Sequence, residues 1–102
     1  MFYEEDATYH IYNRSNDLLF YKRDNYIYFL RKTRNHILPY ADVLSYCLMP
    51  NHFHFLLTVN GKGAELESKN RNPQMQSLSK SIGTMLSSYS QAINRQENRR
   101  GS

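Results

Sequence analysis

The chain has a single cysteine, Cys47, among its 102 residues, so no internal disulfide can hold it together. That suits a reducing compartment. The apolar neighbours of Cys47 predict a buried, unreactive thiol. No apolar run approaches the ~20 residues that span a bilayer, and no basic segment followed by an apolar stretch opens the chain. The expectation is therefore a cytoplasmic protein with no membrane partner and no secretory leader. Internal repeats and heptads are also missing. Charge is not extreme: 22% of residues are charged and the formal net charge is +4. A basic balance favours polyanionic partners, because phosphate contacts release counterions. Many small domains carry such a charge without binding nucleic acid, so charge alone separates little.

What is present is 40% hydrophobic residues, nine tyrosines and five phenylalanines. This supports one core, and residues 1–102 read as a single domain or a piece of one. Thr8 to Arg14 is rich in β-branched and aromatic types and reads as a strand. On it His10 and Tyr12 share one face, and Tyr9, Ile11 and Asn13 the other. Asp24 is a helix-cap candidate. The spacing of Tyr26, Ile27, Phe29, Leu30 and Thr33 predicts a helix over about 25–36, ended by Pro39. Ala41 to Met49 reads as a second strand. Its two faces are both apolar, which suggests a central, doubly covered position. Residues 60–72 have little apolar content and read as a flexible loop. Pro73, capped by Asn72, opens a helix over 74–95, with Leu78, Ile82, Met85, Leu86, Tyr89 and Ile93 on one stripe.

The informative stretch is Tyr46-Cys47-Leu48-Met49-Pro50-Asn51-His52-Phe53-His54-Phe55-Leu56-Leu57. Met49-Pro50-Asn51 is a tight turn, and an alternating strand follows it. Phe53, Phe55, Leu57 and Val59 share one face, which reads as core. His52 and His54 share the other, about 6–7 Å apart along the strand. Two imidazoles so placed can ligate one metal ion through ring nitrogens. An isolated His-x-His often marks no more than a wet sheet face. Here apolar flanks anchor the strand, and the pair follows a turn where an ion can approach. Within the chain, His10 is the best candidate for a third ligand, with Asp42 behind it.

This string resembles the His-hydrophobic-His motif of single-tyrosine transposases, and most closely the REP-associated tyrosine transposase family, a branch of the HUH endonucleases. Tyr9-His10-Ile11-Tyr12-Asn13-Arg14 is similar to that family's first strand, and Leu78 to Asn94 to its helix after the motif. The resemblance covers nearly the whole chain, but its specific part is the motif around His52 and His54. It implies a ferredoxin-like α+β fold: an antiparallel sheet with helices on one face and the histidines on the other. Strand, helix, two strands, helix is an incomplete version of that plan, so a further strand is expected outside the chain.

The resemblance also implies an activity. His52 and His54 would hold a divalent cation, magnesium or manganese. A tyrosine would attack single-stranded or hairpin DNA to give a 5′-phosphotyrosine link for rejoining. Arg14, Arg31, Arg34 and Arg95 are candidate nucleic-acid contacts, and Tyr12 a candidate stacking platform. The family's nucleophile sits in a later Tyr-Ile-His-x-Asn-Pro-like segment, beyond a Gly-x-Leu-Phe-like run. Arg100-Gly101-Ser102 resembles the start of that run, and the tyrosine segment itself is absent from the chain. The expectation is a copy truncated before its catalytic tyrosine, which would lie beyond Ser102. Tyr89 is the substitute within the chain, although its place in the apolar stripe marks it first as a core residue. Relatives outside this branch form dimers, so a homodimer is also expected as an option. Two alternatives stand beside the transposase reading: an inactive nucleic-acid-binding module derived from such an enzyme, and a metal-dependent hydrolase unrelated to DNA.

Overall fold

The computed structural model describes residues 2–67 and 75–99. Three strands form one antiparallel sheet: β1 (Thr8–Arg14), β2 (Ala41–Met49) and β3 (His52–Val59). The helices are α1 (Arg23–His36), the short α2 (Gly61–Ala64) and α3 (Ser77–Gln96). The fold is α+β, as the alternation of elements implies, with α1 and α3 packed on one face of the sheet.

Strand order is β1-β3-β2, so the histidine strand is the central one. This corrects the reading of β2 as central. The apolar side chains of β2 are largely in the open, with Leu44, Tyr46 and Met49 all exposed. A register shift between Val43 and Ser45 explains why simple alternation misread this strand. The extra residue puts Val43 on the core side opposite Leu57, while Ser45, Cys47 and Met49 pair with Leu56, His54 and His52 on the other face. Such a bulge reverses the alternation beyond it. Cys47 is consequently exposed and not the buried thiol expected from its neighbours.

The core lies between sheet and helices. Phe53, Phe55, Leu57 and Val59 are at most 2% exposed, as the alternation predicts. Burying each such side chain contributes on the order of 1.5–3 kcal/mol. Phe29 of α1 meets both Phe53 and Phe55. From α3, Leu78, Met85, Tyr89 and Ile93 complete the cluster.

The helix starts differ from expectation, for a physical reason in each case. At α1, the cap position is Lys22 and Asp24 lies inside the first turn. Buried Asn25 supplies the missing acceptor: its Oδ1 takes the backbone N–H groups of Tyr21 and Lys22 at 2.9 and 3.2 Å. Its Nδ2 donates to Gln96 at the far end of α3, tying the two helices together. The third helix begins at Ser77 with Gln76 as its cap. Gln76 is held extended by an antiparallel bridge to Leu66 and by side-chain bonds to Tyr3 and Ala64. Asn72 and Pro73, the expected start, lie outside the described residues. The expected loop 60–72 opens with a helical turn, α2, capped by Asn60, whose Oδ1 accepts from the Gly63 N–H. Gly63 has no substitute there, because a Cβ would run into the carbonyl oxygen of Tyr40.

Candidate functional site

The sheet face opposite the helices carries the candidate histidines. In an antiparallel sheet, paired residues point to the same side. Arg14, Tyr12 and His10 of β1 therefore stand beside His52, His54 and Leu56 of β3, with Met49, Cys47 and Ser45 of β2 on the far flank. The sequence places His52, His54, His10 and Tyr12 on their faces correctly. It does not reveal the register that makes Arg14 the partner of His52 and Tyr12 the partner of His54. Tyr12, Asn13, Arg14, His52 and His54 line a shallow pocket of about 250 Å³. A larger groove of about 470 Å³ follows α3, on the helix layer and away from the histidines.

Each histidine of the pair has one ring nitrogen engaged. His52 Nδ1 lies 2.8 Å from Asn51 Oδ1. An amide oxygen only accepts, so His52 donates from Nδ1 and its lone pair is on Nε2. His54 Nδ1 lies 2.8 Å from His10 Nε2. Those two ring centres are 5.0 Å apart and the planes 9° apart. The centroids are thus separated by the N···N distance plus the two ring radii. The rings meet edge to edge, nitrogen aimed at nitrogen, and not face on face.

This geometry tests which atoms fit a divalent ion. Between His10 and His54 an ion would sit about 1.4 Å from each nitrogen, far inside the ~2.0–2.2 Å of a metal–imidazole bond. His10 as it stands is therefore not a ligand, contrary to the expectation that made it the best third candidate. The His52 and His54 rings are 5.2 Å apart at 87°. Two imidazoles sharing one ion at ~2.0–2.2 Å hold their ring centres about 5 Å apart, so this pair fits. Asp42 pairs with Thr58, four residues along β3 from His54, about 13 Å at the rise of a strand, and is too far to join them. Among the described residues no group of three or more His, Cys, Asp or Glu side chains is placed to hold a metal ion. Among the described residues this pair is what could be offered to an ion, and further positions would fall to water or a substrate oxygen.

The electrostatics favour a neutral His54. Partial burial lowers the pKa of His54, and the charges of His10, His52 and Arg14 lower it further. A neutral imidazole is the form that binds a metal.

The remaining candidates are elsewhere. Tyr89 is 2% exposed and packs on Phe20, Phe29 and Tyr28 on the helix side of the sheet. Its hydroxyl donates to the Leu19 carbonyl at 2.6 Å, and burial raises its pKa. A buried, hydrogen-bonded, protonated phenol across the sheet from the histidines is not a nucleophile for them, and this corrects the candidacy of Tyr89. Arg100, Gly101 and Ser102, read as the start of the run that precedes the family's nucleophile, lie outside the described residues. The expected place of that tyrosine, beyond Ser102, lies outside them too. Arg31 and Arg34 belong to the exposed side of α1, and Arg95 to the last turn of α3. All three lie on the helix layer, so of the four arginines only Arg14 joins the site. Tyr12, 66% exposed, is the one described tyrosine on the histidine face.

Comparison with known family models, with curated proteins and with solved structures gives no match. No helix among the described residues is long and apolar enough to cross a membrane.

Proposed function

We propose that this chain is a nucleic-acid-processing domain of the HUH type, acting on single-stranded or hairpin DNA in the manner of a REP-associated tyrosine transposase. The observation that carries the reading is the pair His52 and His54, 5.2 Å apart on an open sheet face with Arg14 and Tyr12 alongside. The motif resemblance at residues 46–57 supplies the activity.

In this reading His52 and His54 hold a divalent cation. Manganese suits imidazole better than magnesium does. When bound, the ion polarises a scissile phosphodiester and stabilises charge on its oxygens. Arg14 attracts the phosphate, and Tyr12 offers a ring to an unpaired base. The attacking tyrosine has no counterpart in Tyr89, for the reasons above. Cleavage and rejoining through a 5′-phosphotyrosine then need a hydroxyl other than that of Tyr89. A cytoplasmic location follows from the substrate, and the outer edges of β1 and β2 leave room for a second copy in a homodimer.

The second reading is a binding module that holds nucleic acid without cutting it, and the burial of Tyr89 favours it. One experiment separates the two. The chain is incubated with a labelled hairpin oligonucleotide, with and without Mn²⁺, and followed by fluorescence anisotropy and by denaturing gel. The HUH reading expects binding that His52→Ala weakens in the presence of Mn²⁺. Binding indifferent to both Mn²⁺ and His52→Ala would leave the module. Absence of any binding would end both.

A further inference from the structure

We infer that His10 and Asn51 are positioning residues that fix the tautomers of the histidine pair, so that His54 and His52 both present Nε2 lone pairs to the same ion. This rests on the proposed reading of His52 and His54 as metal ligands.

The argument starts from what each ring can do. A neutral imidazole carries one N–H and one lone pair, and the hydrogen bond made by one nitrogen decides the state of the other. For His52 the decision is already made, because Asn51 Oδ1 can only accept. For His54 there are two arrangements of the 2.8 Å bond to His10. If His10 donates, His54 carries its proton on Nε2 and accepts at Nδ1, leaving no lone pair for an ion. If His54 donates from Nδ1, its Nε2 is free and His10 holds its own proton on Nδ1. Only the second arrangement makes His54 a ligand, and in it His10 Nε2 is the acceptor that keeps His54 turned. The edge-to-edge alignment of the two rings, 9° from coplanar, is the geometry such a bond needs. The same alignment keeps His10 from ligating.

The two supports arrive by different routes. Asn51 is adjacent in sequence, in the hairpin turn whose backbone is pinned by the Ser15 N–H to Asn51 carbonyl bond at 2.9 Å. His10 comes from β1, where it is the cross-strand partner of Leu56, two pairs along the ladder from His54. The pairing of β1 with β3 therefore sets the orientation of a ring three residues past the turn. Outer partners of this kind are worth ~10–100-fold in metal affinity.

The test uses Mn²⁺ alone, without DNA. Affinity is measured by calorimetry for the wild type, His10→Ala, His10→Gln, Asn51→Ala and Asn51→Asp. Nitrogen NMR of the metal-free wild type reads the His54 tautomer. X-ray absorption of the Mn²⁺-loaded proteins counts imidazoles. The expected result is a ~10–100-fold loss in each alanine variant, with affinity kept in His10→Gln and Asn51→Asp, which retain an acceptor. Two imidazoles are expected throughout, with the His54 proton on Nδ1. His10 is exposed, so the variants should fold, and circular dichroism checks that they do. An unchanged affinity in His10→Ala would overturn the inference. So would the loss of one imidazole in His10→Gln, or a His54 proton found on Nε2. A wild type that takes up no Mn²⁺ would sink the metal in the proposed function, while the tautomer measurement would still decide the role of His10. A wild type that binds Mn²⁺ with the expected variant pattern but ignores DNA would leave this inference standing and end the DNA reading.

Discussion

Arg14 and His52 are direct partners across the β1–β3 ladder, and both line the same pocket. The pairing sets a permanent positive charge beside the imidazole pair, where a phosphate would be bound. Arg14→Gln should therefore weaken hairpin-DNA binding and flatten its dependence on salt, lowering the slope of log K against log salt by about 0.7–0.9 for one lost phosphate contact. The double substitution Arg31→Gln with Arg34→Gln, on the helix layer, should leave the slope nearly unchanged. Anisotropy titrations at several salt concentrations decide this. A larger effect from the helix pair would move the phosphate track to the other side of the molecule.

Tyr12 offers a different contact. Its ring lies 5.8 Å from that of His54 and 23° from parallel, with most of its surface free. Stacking of one base on such a ring is worth about 1–3 kcal/mol. Tyr12→Ala should weaken single-strand binding by that amount, while Tyr12→Phe, which keeps the ring, should bind like the wild type. Because the side chain is exposed, stability should move by no more than ~0.5 kcal/mol in either variant. A binding loss in Tyr12→Phe equal to that in Tyr12→Ala would assign the work to the hydroxyl instead of the ring.

These contacts show which parts of the site could be read from the chain. The period-two alternation from His52 to Val59 assigned both faces of β3, because that strand is regular and buried on one side. The spacing of Leu78, Met85, Tyr89 and Ile93 marked the inward face of α3 for the same reason. What failed was what depends on register and on partners distant in sequence. The bulge near Leu44 is invisible to alternation, and the apolar neighbours of Cys47 point to a buried thiol where the register exposes it. The acceptor at the start of α1 is Asn25, one residue past Asp24, and spacing alone does not separate the two. His10 reads from the chain as a third ligand, because spacing does not reveal that its nitrogen points into His54.

The depressed pKa of His54 gives a pH prediction. Partial burial and the neighbouring charges disfavour its imidazolium, so its midpoint in an NMR titration should fall below the ordinary value of about 6.5. The sign for stability follows. The unfolded chain takes up this proton near pH 6.5 while the folded chain does not. The contribution is thus present above that pH and is lost as pH falls through the lower folded midpoint. Arg14→Gln removes one of the opposing charges and should raise the midpoint. A midpoint that stayed in place would show that burial and the neighbouring histidines set it without Arg14.

The buried phenol of Tyr89 provides the last prediction. Tyr89→Phe removes the hydroxyl that donates to the Leu19 carbonyl and leaves that oxygen without its partner. The cost should be about 1–2 kcal/mol, or a fall in melting temperature of roughly 4–8 °C per kcal/mol for a domain of this size. Metal uptake and DNA binding should not change, since the ring lies across the sheet from His52 and His54. The raised pKa of Tyr89 adds a pH signature. Above pH about 10 the unfolded chain releases this proton and the folded chain keeps it, so the contribution is full below that pH and is lost as pH rises above it. Tyr89→Phe abolishes this part of the alkaline destabilisation, and thermal melts of the two proteins between pH 7 and 11 should therefore converge as pH rises. Melts that stayed parallel over that range would mean that the phenol ionises as freely in the folded chain as in the unfolded one.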